Sequence, residues 1–556
     1  MAAHDAANTR YSPLAEITVS NVARLQPAWT FSTSTDKGEE AAPIVADRTM
    51  FVVTGFPNRI LAFDLSSLDH KLRWSFDPKP DPGARGVACC DVVNRGAVYA
   101  DGRLFFCTLD NQVLALDAAT GKEIWRKRLG EFSVGQSMTM APVVIRDKVL
   151  VGNDGGEFGV RGFIAAFDVA TGTERWRAYS TGPDSQVRIG GEFSPFYAGD
   201  RGADLGVTTW PPEAWKIGGG TVGGWLSYDP QLDLLYHGTG SPAPRNPVQR
   251  PGDNKWTSAI FARRPDSGDA TWAYQTSAHD RHGYDGSNES VLVDLPIGGR
   301  TRQVLLHPDN NGYVYVMDRA TGEVLSSDPF VLVTTSHGVE PKTGVLRYEA
   351  SKEPAIDRVV REICPGAAGA KNWQPSAWSP RTRLLYLPHQ NLCEDATLFE
   401  VSHISGTPYL GAETKMHAPV GVRRGELTAW DPVARRKTWT VTEPFPVWSG
   451  ALATAGDLVF YGTMDGWFKA VDARNGQELW KFRTVSGIVG QPVSFTGGDG
   501  HQYIAILAGV GGWAGLIVSN DLDARDGTAA RGFVAAMKDL PAATSRGGML
   551  YVFRLP

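Results

Sequence analysis

The chain has 556 residues, several times the roughly 100–200 of an ordinary domain, so core size alone calls for no disulfide or metal staple. Glycine (62) and tryptophan (17) are abundant and charged residues are 21%, a balance that fits many strands and turns better than a helical bundle. The net charge of −5 is well mixed along the sequence and no apolar run approaches about 18 residues, which sets aside a polyanion-binding face and a membrane-spanning helix.

Taken in chain order, the predicted elements are copies of one unit. Leu25 to Trp29 reads as the end of such a unit, and Phe63-Asp64 to Trp74 is a weak copy. Ala115-Leu116-Asp117 through Thr120-Gly121 to Trp125 is the plainest, and it recurs as Ala166-Phe167-Asp168, Thr171-Gly172 and Trp176. Trp74, Trp125 and Trp176 follow one another at intervals of 51 residues. Weaker copies run from Ser267-Gly268 to Trp272 and from Met317-Asp318 to Thr321-Gly322. Two further units follow, Ala429-Trp430-Asp431 to Trp439 and Ala470-Val471-Asp472 through Gly476 to Trp480. In each, an apolar strand ends at Asp, whose carboxylate can cap the next backbone amides. Gly supplies the positive φ of a short hairpin loop, and the returning strand carries a Trp free to dock on a neighbour. A hairpin of this kind cannot bury its faces alone, so copies must stack. The reading is an all-β, eight-bladed β-propeller with tryptophan-docking repeats, closed by the strand Leu550 to Phe553. The whole chain, 1–556, is taken as one propeller domain, with long polar segments at about 181–220, 325–371 and 391–424 covering its funnel.

The five cysteines are Cys89, Cys90, Cys107, Cys364 and Cys393, without CxxC or CxxCH spacing, so neither a structural zinc nor an attached c-type haem is expected. Cys89-Cys90 by itself reads either as two unpaired buried thiols or as a strained disulfide between neighbours. Cys107 reads as a buried strand residue. His279 and His282 have the spacing of a metal pair but no helix to align them, so hydrogen-bonded or solvated histidines are expected.

Four segments carry a resemblance. Gly86-Val87-Ala88-Cys89-Cys90-Asp91-Val92-Val93-Asn94-Arg95-Gly96, Gly152-Asn153-Asp154-Gly155-Gly156-Glu157-Phe158-Gly159-Val160-Arg161-Gly162, Arg250-Pro251-Gly252-Asp253-Asn254-Lys255-Trp256-Thr257 and Gly509-Val510-Gly511-Gly512-Trp513 are similar to segments of the quinoprotein alcohol dehydrogenases. That family holds pyrroloquinoline quinone (PQQ), and the resemblance runs over essentially the whole chain. It implies a cofactor site of Glu40, Cys89, Cys90, Arg95, Thr139, Gly155, Gly156, Asn310, Asn372, Trp448 and Trp513. Arg95 would pair with a PQQ carboxylate, and a Cys89–Cys90 ring disulfide would lie against one face. It also implies a hard cation, Ca²⁺ or a lanthanide, on Glu157, Ser241 and Asp285. A second disulfide, Cys364–Cys393, follows from the same resemblance. With two disulfides the expected location is the periplasm, as a mature chain whose signal peptide has been removed.

Four positions depart from the family pattern. The stacking tryptophan falls on Gly223, the catalytic aspartate on Gly283, the basic residue beside the quinone on Asn310, and an asparagine metal ligand on Ser241. Asp285 is the surviving carboxylate of that loop and is taken as the catalytic base. The function implied is oxidation of an alcohol, a sugar or a bulky secondary alcohol rather than methanol, with electrons passed to an external acceptor such as a soluble cytochrome c or a dye. The alternative is a propeller that has lost catalysis and serves as a binding or assembly scaffold.

Overall fold

The computed structural model describes residues 3–67, 69–88 and 90–556. Among them, seven sheets have four strands and one has five, with neighbouring strands following chain order in most of them. The fifth strand, Tyr11–Ser12, pairs in parallel with Leu452–Thr454. Gln26–Ser32 pairs with Met549–Arg554, so strands from the two ends of the chain share one sheet. This is the closure anticipated for Leu550 to Phe553.

The repeat explains how the sheets join. In the hairpin of Phe163–Asp168 and Glu174–Tyr179, Asp168 Oδ1 accepts from the amides of Ala170 (3.0 Å) and Thr171 (2.9 Å). Gly172 follows at φ +67°, with the preceding sheet's Trp125 ring packed on it so closely that a Cβ there would lie 2.7 Å away. Trp125 Nε1 donates to Val169 O at 3.1 Å, which fixes the ring by its polar edge as well as its face. Trp74 docks likewise on Gly121 and Ala118 O, Trp176 on Gly268 and Pro265 O, Trp272 on Gly322 and Arg319 O, and Trp439 on Gly476 and Ala473 O. Trp480 Nε1 reaches Leu25 O at 2.9 Å, beside the sheet that joins the chain ends.

The polar segments carry their own short elements. Residues 181–220 hold the helices Asp184–Val187 and Leu205–Thr208. Leu325 to Pro329 belong to the strand Val324–Pro329, so the irregular part of the next segment begins at 330, and it then forms the hairpin of Ser336–Val339 and Leu346–Tyr348. Cys393–Leu398 pairs with both Val360–Ile363 and Ala412–His417. Cys364 and Cys393 are disulfide-bonded, and Cys107 is a free, buried thiol. A further excursion was not foreseen. Between Gln502–Ala508 and Met549–Arg554 the chain leaves its sheet and forms the helices Gly512–Ser519 and Phe533–Met537. Every residue of the first helix is buried, so it is apolar all round and shows no amphipathic period to read. No helix among the described residues is long and apolar enough to cross a membrane.

Candidate active site

Loops between strands of several sheets, together with residues 512–543, surround one cavity. Glu40, Cys90, Arg95, Thr139, Gly155, Gly156, Asn310, Asn372, Trp448 and Trp513 all line it, as do Glu157, Ser241 and Asp285. Positions far apart in sequence thus share one wall. Cys89 lies outside the described residues, and the ring expected of it with it; Cys90 is disulfide-bonded.

One side is a clamp. Arg95 Nε donates to Glu40 Oε2 at 3.1 Å, and Nη1 donates to Thr139 Oγ1 (3.0 Å) and Gly223 O (2.8 Å). The guanidinium lies 5.1 Å from the Trp373 ring. Burial pushes the Glu40 carboxyl up to about 8, with Arg95 pulling the other way. Thr139 is held in turn by Asp154, whose Oδ2 accepts from its amide (2.9 Å) and its hydroxyl (2.8 Å). Asp154 also accounts for Gly223: a Cβ there would lie 1.6 Å from Asp154 Oδ1. A carboxylate occupies the space against the Cα where the family has an indole.

The other side is acidic. Asp285 and Glu157 are half-buried on the cavity wall, and desolvation raises both carboxyls above the usual range; for Glu157 the nearby Asp154 and Asp285 charges add to it. Asp285 Oδ1 accepts from the Ser241 amide at 2.6 Å. Neither carboxylate forms an ion pair with a described residue. Two half-buried carboxylates with no direct ion pair to a described residue, next to a serine, are a hard-oxygen donor set that fits a cation. With its amide oxygen turned toward Asp285, Asn310 accepts from that residue's amide at 3.2 Å and braces the loop. Gly283 (φ +80°) faces Arg245, whose Nε would stand 3.2 Å from an added Cβ. Arg245 pairs with the buried Glu394, and Glu394 Oε2 accepts from the amide of Ala367 at 3.0 Å. The Cys364–Cys393 bond therefore ties the segment that lines the cavity at Ala367 to the one whose Glu394 holds Arg245. Asn372 is structural in its bonds, donating to Ala368 O (3.1 Å) and accepting from the Trp373 amide (2.9 Å).

Residues 512–543 form the remaining wall. Phe533 packs edge-on against Trp448 (5.6 Å) and Trp513 (5.1 Å), and Arg531 lies 4.8 Å over the Trp513 ring. Asp154, Arg245, Trp373, Tyr409 and Arg531 line the cavity and were not singled out from the sequence. Asp154 sat inside a recognised segment; Arg531 had no motif around it. His282 is off the cavity, with neither ring nitrogen bonded, and burial holds it well below its ordinary range. His279 Nδ1 meets Gly252 O at 2.7 Å, the hydrogen-bonded role expected of it.

The comparisons agree with this geometry. The model of the PQQ glucose/ethanol/alcohol dehydrogenase β-propeller domain matches residues 1–327 and 417–504. The chain belongs to the PQQ-dependent alcohol dehydrogenases. It is 46% identical to the lanthanide-dependent methanol dehydrogenase of Methylacidiphilum fumariolicum (strain SolV), over 99% of this chain and 91% of that one. It is 35% identical to the quinoprotein ethanol dehydrogenase of Pseudomonas aeruginosa, over 98% of this chain and 89% of that one. Among solved structures, a europium-containing methanol dehydrogenase superposes with a TM-score of 0.99 at 45% identity, covering 100% of this chain and 97% of that chain. The chain is thus an oxidoreductase of the quinoprotein type, with the β-propeller fold of that family.

Proposed function

We propose that this quinoprotein is a single eight-bladed propeller, 1–556, which oxidises the hydroxyl of an alcohol or sugar to a carbonyl in the periplasm and delivers electrons to an external acceptor such as a cytochrome c. PQQ, when bound, supplies a two-electron acceptor, and a Ca²⁺ or lanthanide ion beside it supplies a Lewis acid. Arg95, with Glu40 and Thr139 behind it, holds an anionic group of the cofactor; Cys90, Trp448, Trp513, Gly155, Gly156, Asn310 and Asn372 enclose it. Glu157 and Asp285 take the cation, with the Ser241 hydroxyl as a further oxygen.

Asp285 is the base. Loss of a C–H hydride and of the hydroxyl proton together removes two electrons and two protons from the alcohol, and the proton needs an acceptor at the cation. Gly283 has no side chain to offer. The observation that carries this reading is the pair of half-buried carboxylates, Glu157 and Asp285, which form no direct ion pair with a described residue and line the same cavity as the Arg95 clamp. Retention of that clamp argues against a scaffold, which has no need of it. The test is reconstitution with PQQ and Ca²⁺ or La³⁺, followed by dye reduction. Asp285→Ala should lower kcat by about 10²–10⁴-fold, the usual contribution of a general base. Near-normal kcat with the metal still bound would remove the role.

A further inference from the structure

Arg531 is the cavity's unassigned cation. It is half-buried, lines the cavity and makes no hydrogen bond or ion pair through its guanidinium to any described residue. Its backbone is held in place all the same. Trp513 Nε1 donates to Ala530 O at 2.6 Å, and Thr414 Oγ1 donates to Arg531 O at 2.8 Å. The planar guanidinium lies 4.8 Å over the Trp513 ring. A stacked arginine of this kind presents its donors edge-on and already oriented. The opposite charges that act on it are Glu157, Asp285 and Glu394. The first two would be spent on a metal, and Glu394 is bonded to Arg245. A loaded site would therefore hold a metal ion and a free guanidinium in the same cavity, with no protein anion left for Arg531.

We propose that Arg531 binds a carboxylate carried by the substrate, so that the enzyme's preferred substrates are hydroxy acids. The proposal rests on the dehydrogenase reading and narrows its substrate class. Arg95 stands with Glu40 on the clamp side, whereas Arg531 stands with the carboxylates that receive the hydroxyl. A bidentate pair between guanidinium and carboxylate would fix the far end of the substrate while its hydroxyl meets the metal and Asp285. Arg245, already paired, contributes positive potential from beside Gly283 but no free fork.

The experiment uses protein loaded with PQQ and Ca²⁺ or La³⁺. Dye reduction with 3-hydroxypropanoate and 4-hydroxybutanoate is compared with propan-1-ol and butan-1-ol, and butanoate serves as a non-reacting ligand in calorimetry. The wild type should favour the hydroxy acids in kcat/KM. Arg531→Ala should lower the acid-to-alcohol ratio by about 10–100-fold, mainly through KM, in line with one charge-assisted contact. Arg531→Lys should recover part of the loss, and butanoate binding should vanish in Arg531→Ala. A wild-type preference for the neutral alcohols would overturn the proposal and leave the dehydrogenase reading standing. An unchanged ratio in a folded Arg531→Ala would overturn it too, as would a loss of PQQ affinity with the ratio intact, which would make Arg531 a cofactor contact. If neither substrate type is oxidised, the dehydrogenase reading fails, and butanoate calorimetry still decides whether Arg531 holds a carboxylate.

Discussion

Gly223→Ala isolates the most compact departure of this site from its family. No positive φ is imposed at Gly223, so the backbone accepts an L side chain, and the obstacle is the Asp154 carboxylate 1.6 Å from the new Cβ. To make room, Asp154 must rotate, and it then loses its two bonds to Thr139, at 2.9 and 2.8 Å. Hydrogen bonds to a charged group contribute about 1.5–3 kcal/mol, so the substitution should cost roughly 2–4 kcal/mol. In an Asp154→Ala background the same substitution should cost close to nothing, because the obstructing atoms are gone. The coupling between the two changes should therefore be about 2–4 kcal/mol, read as a double-mutant cycle from urea unfolding of cofactor-free protein. Arg95 shares Thr139 with Asp154, so PQQ affinity should fall in the single Gly223 variant as well. Additive stability changes, with no coupling, would refute the claim that Asp154 is what keeps position 223 a glycine.

Two further outcomes follow from the same structure. Gly172→Ala should destabilise by about 1–3 kcal/mol in urea, because its Cβ would press 2.7 Å onto the Trp125 ring and φ is +67°; an unchanged midpoint would deny the docking role. Cofactor-free protein should lose stability as pH rises from about 4.5 toward 8, because the folded state keeps a proton on Glu40 that the unfolded chain has released. The slope attributable to Glu40 should reach about 1.4 kcal/mol per pH unit, and Glu40→Gln should remove it. Identical pH profiles for the two proteins would count against a protonated Glu40.

The sequence by itself determined the repeated architecture, for a local reason. The Asp that caps a turn, the Gly at positive φ and the Trp on the returning strand are neighbours in sequence, and each acts within its own hairpin or on the next. Cys90, Arg95 and Glu157 were legible too, because they sit in recognisable segments, and Glu40 and Asp285 because the resemblance runs on over their positions; the tertiary structure brought all five to one cavity. What it alone decided came from long-range packing. The helix Gly512–Ser519 is invisible as a pattern because a helix buried on all sides carries no amphipathic period, Phe533–Met537 is too short to show one, and the loop bearing Arg531 has no motif. That Asp154 fills the space left at Gly223, and that Arg245 stands beside Gly283, are contacts between separate loops of the chain. A substitution in sequence records only that a side chain is missing; which neighbour takes its place depends on how the sheets are stacked around the cavity.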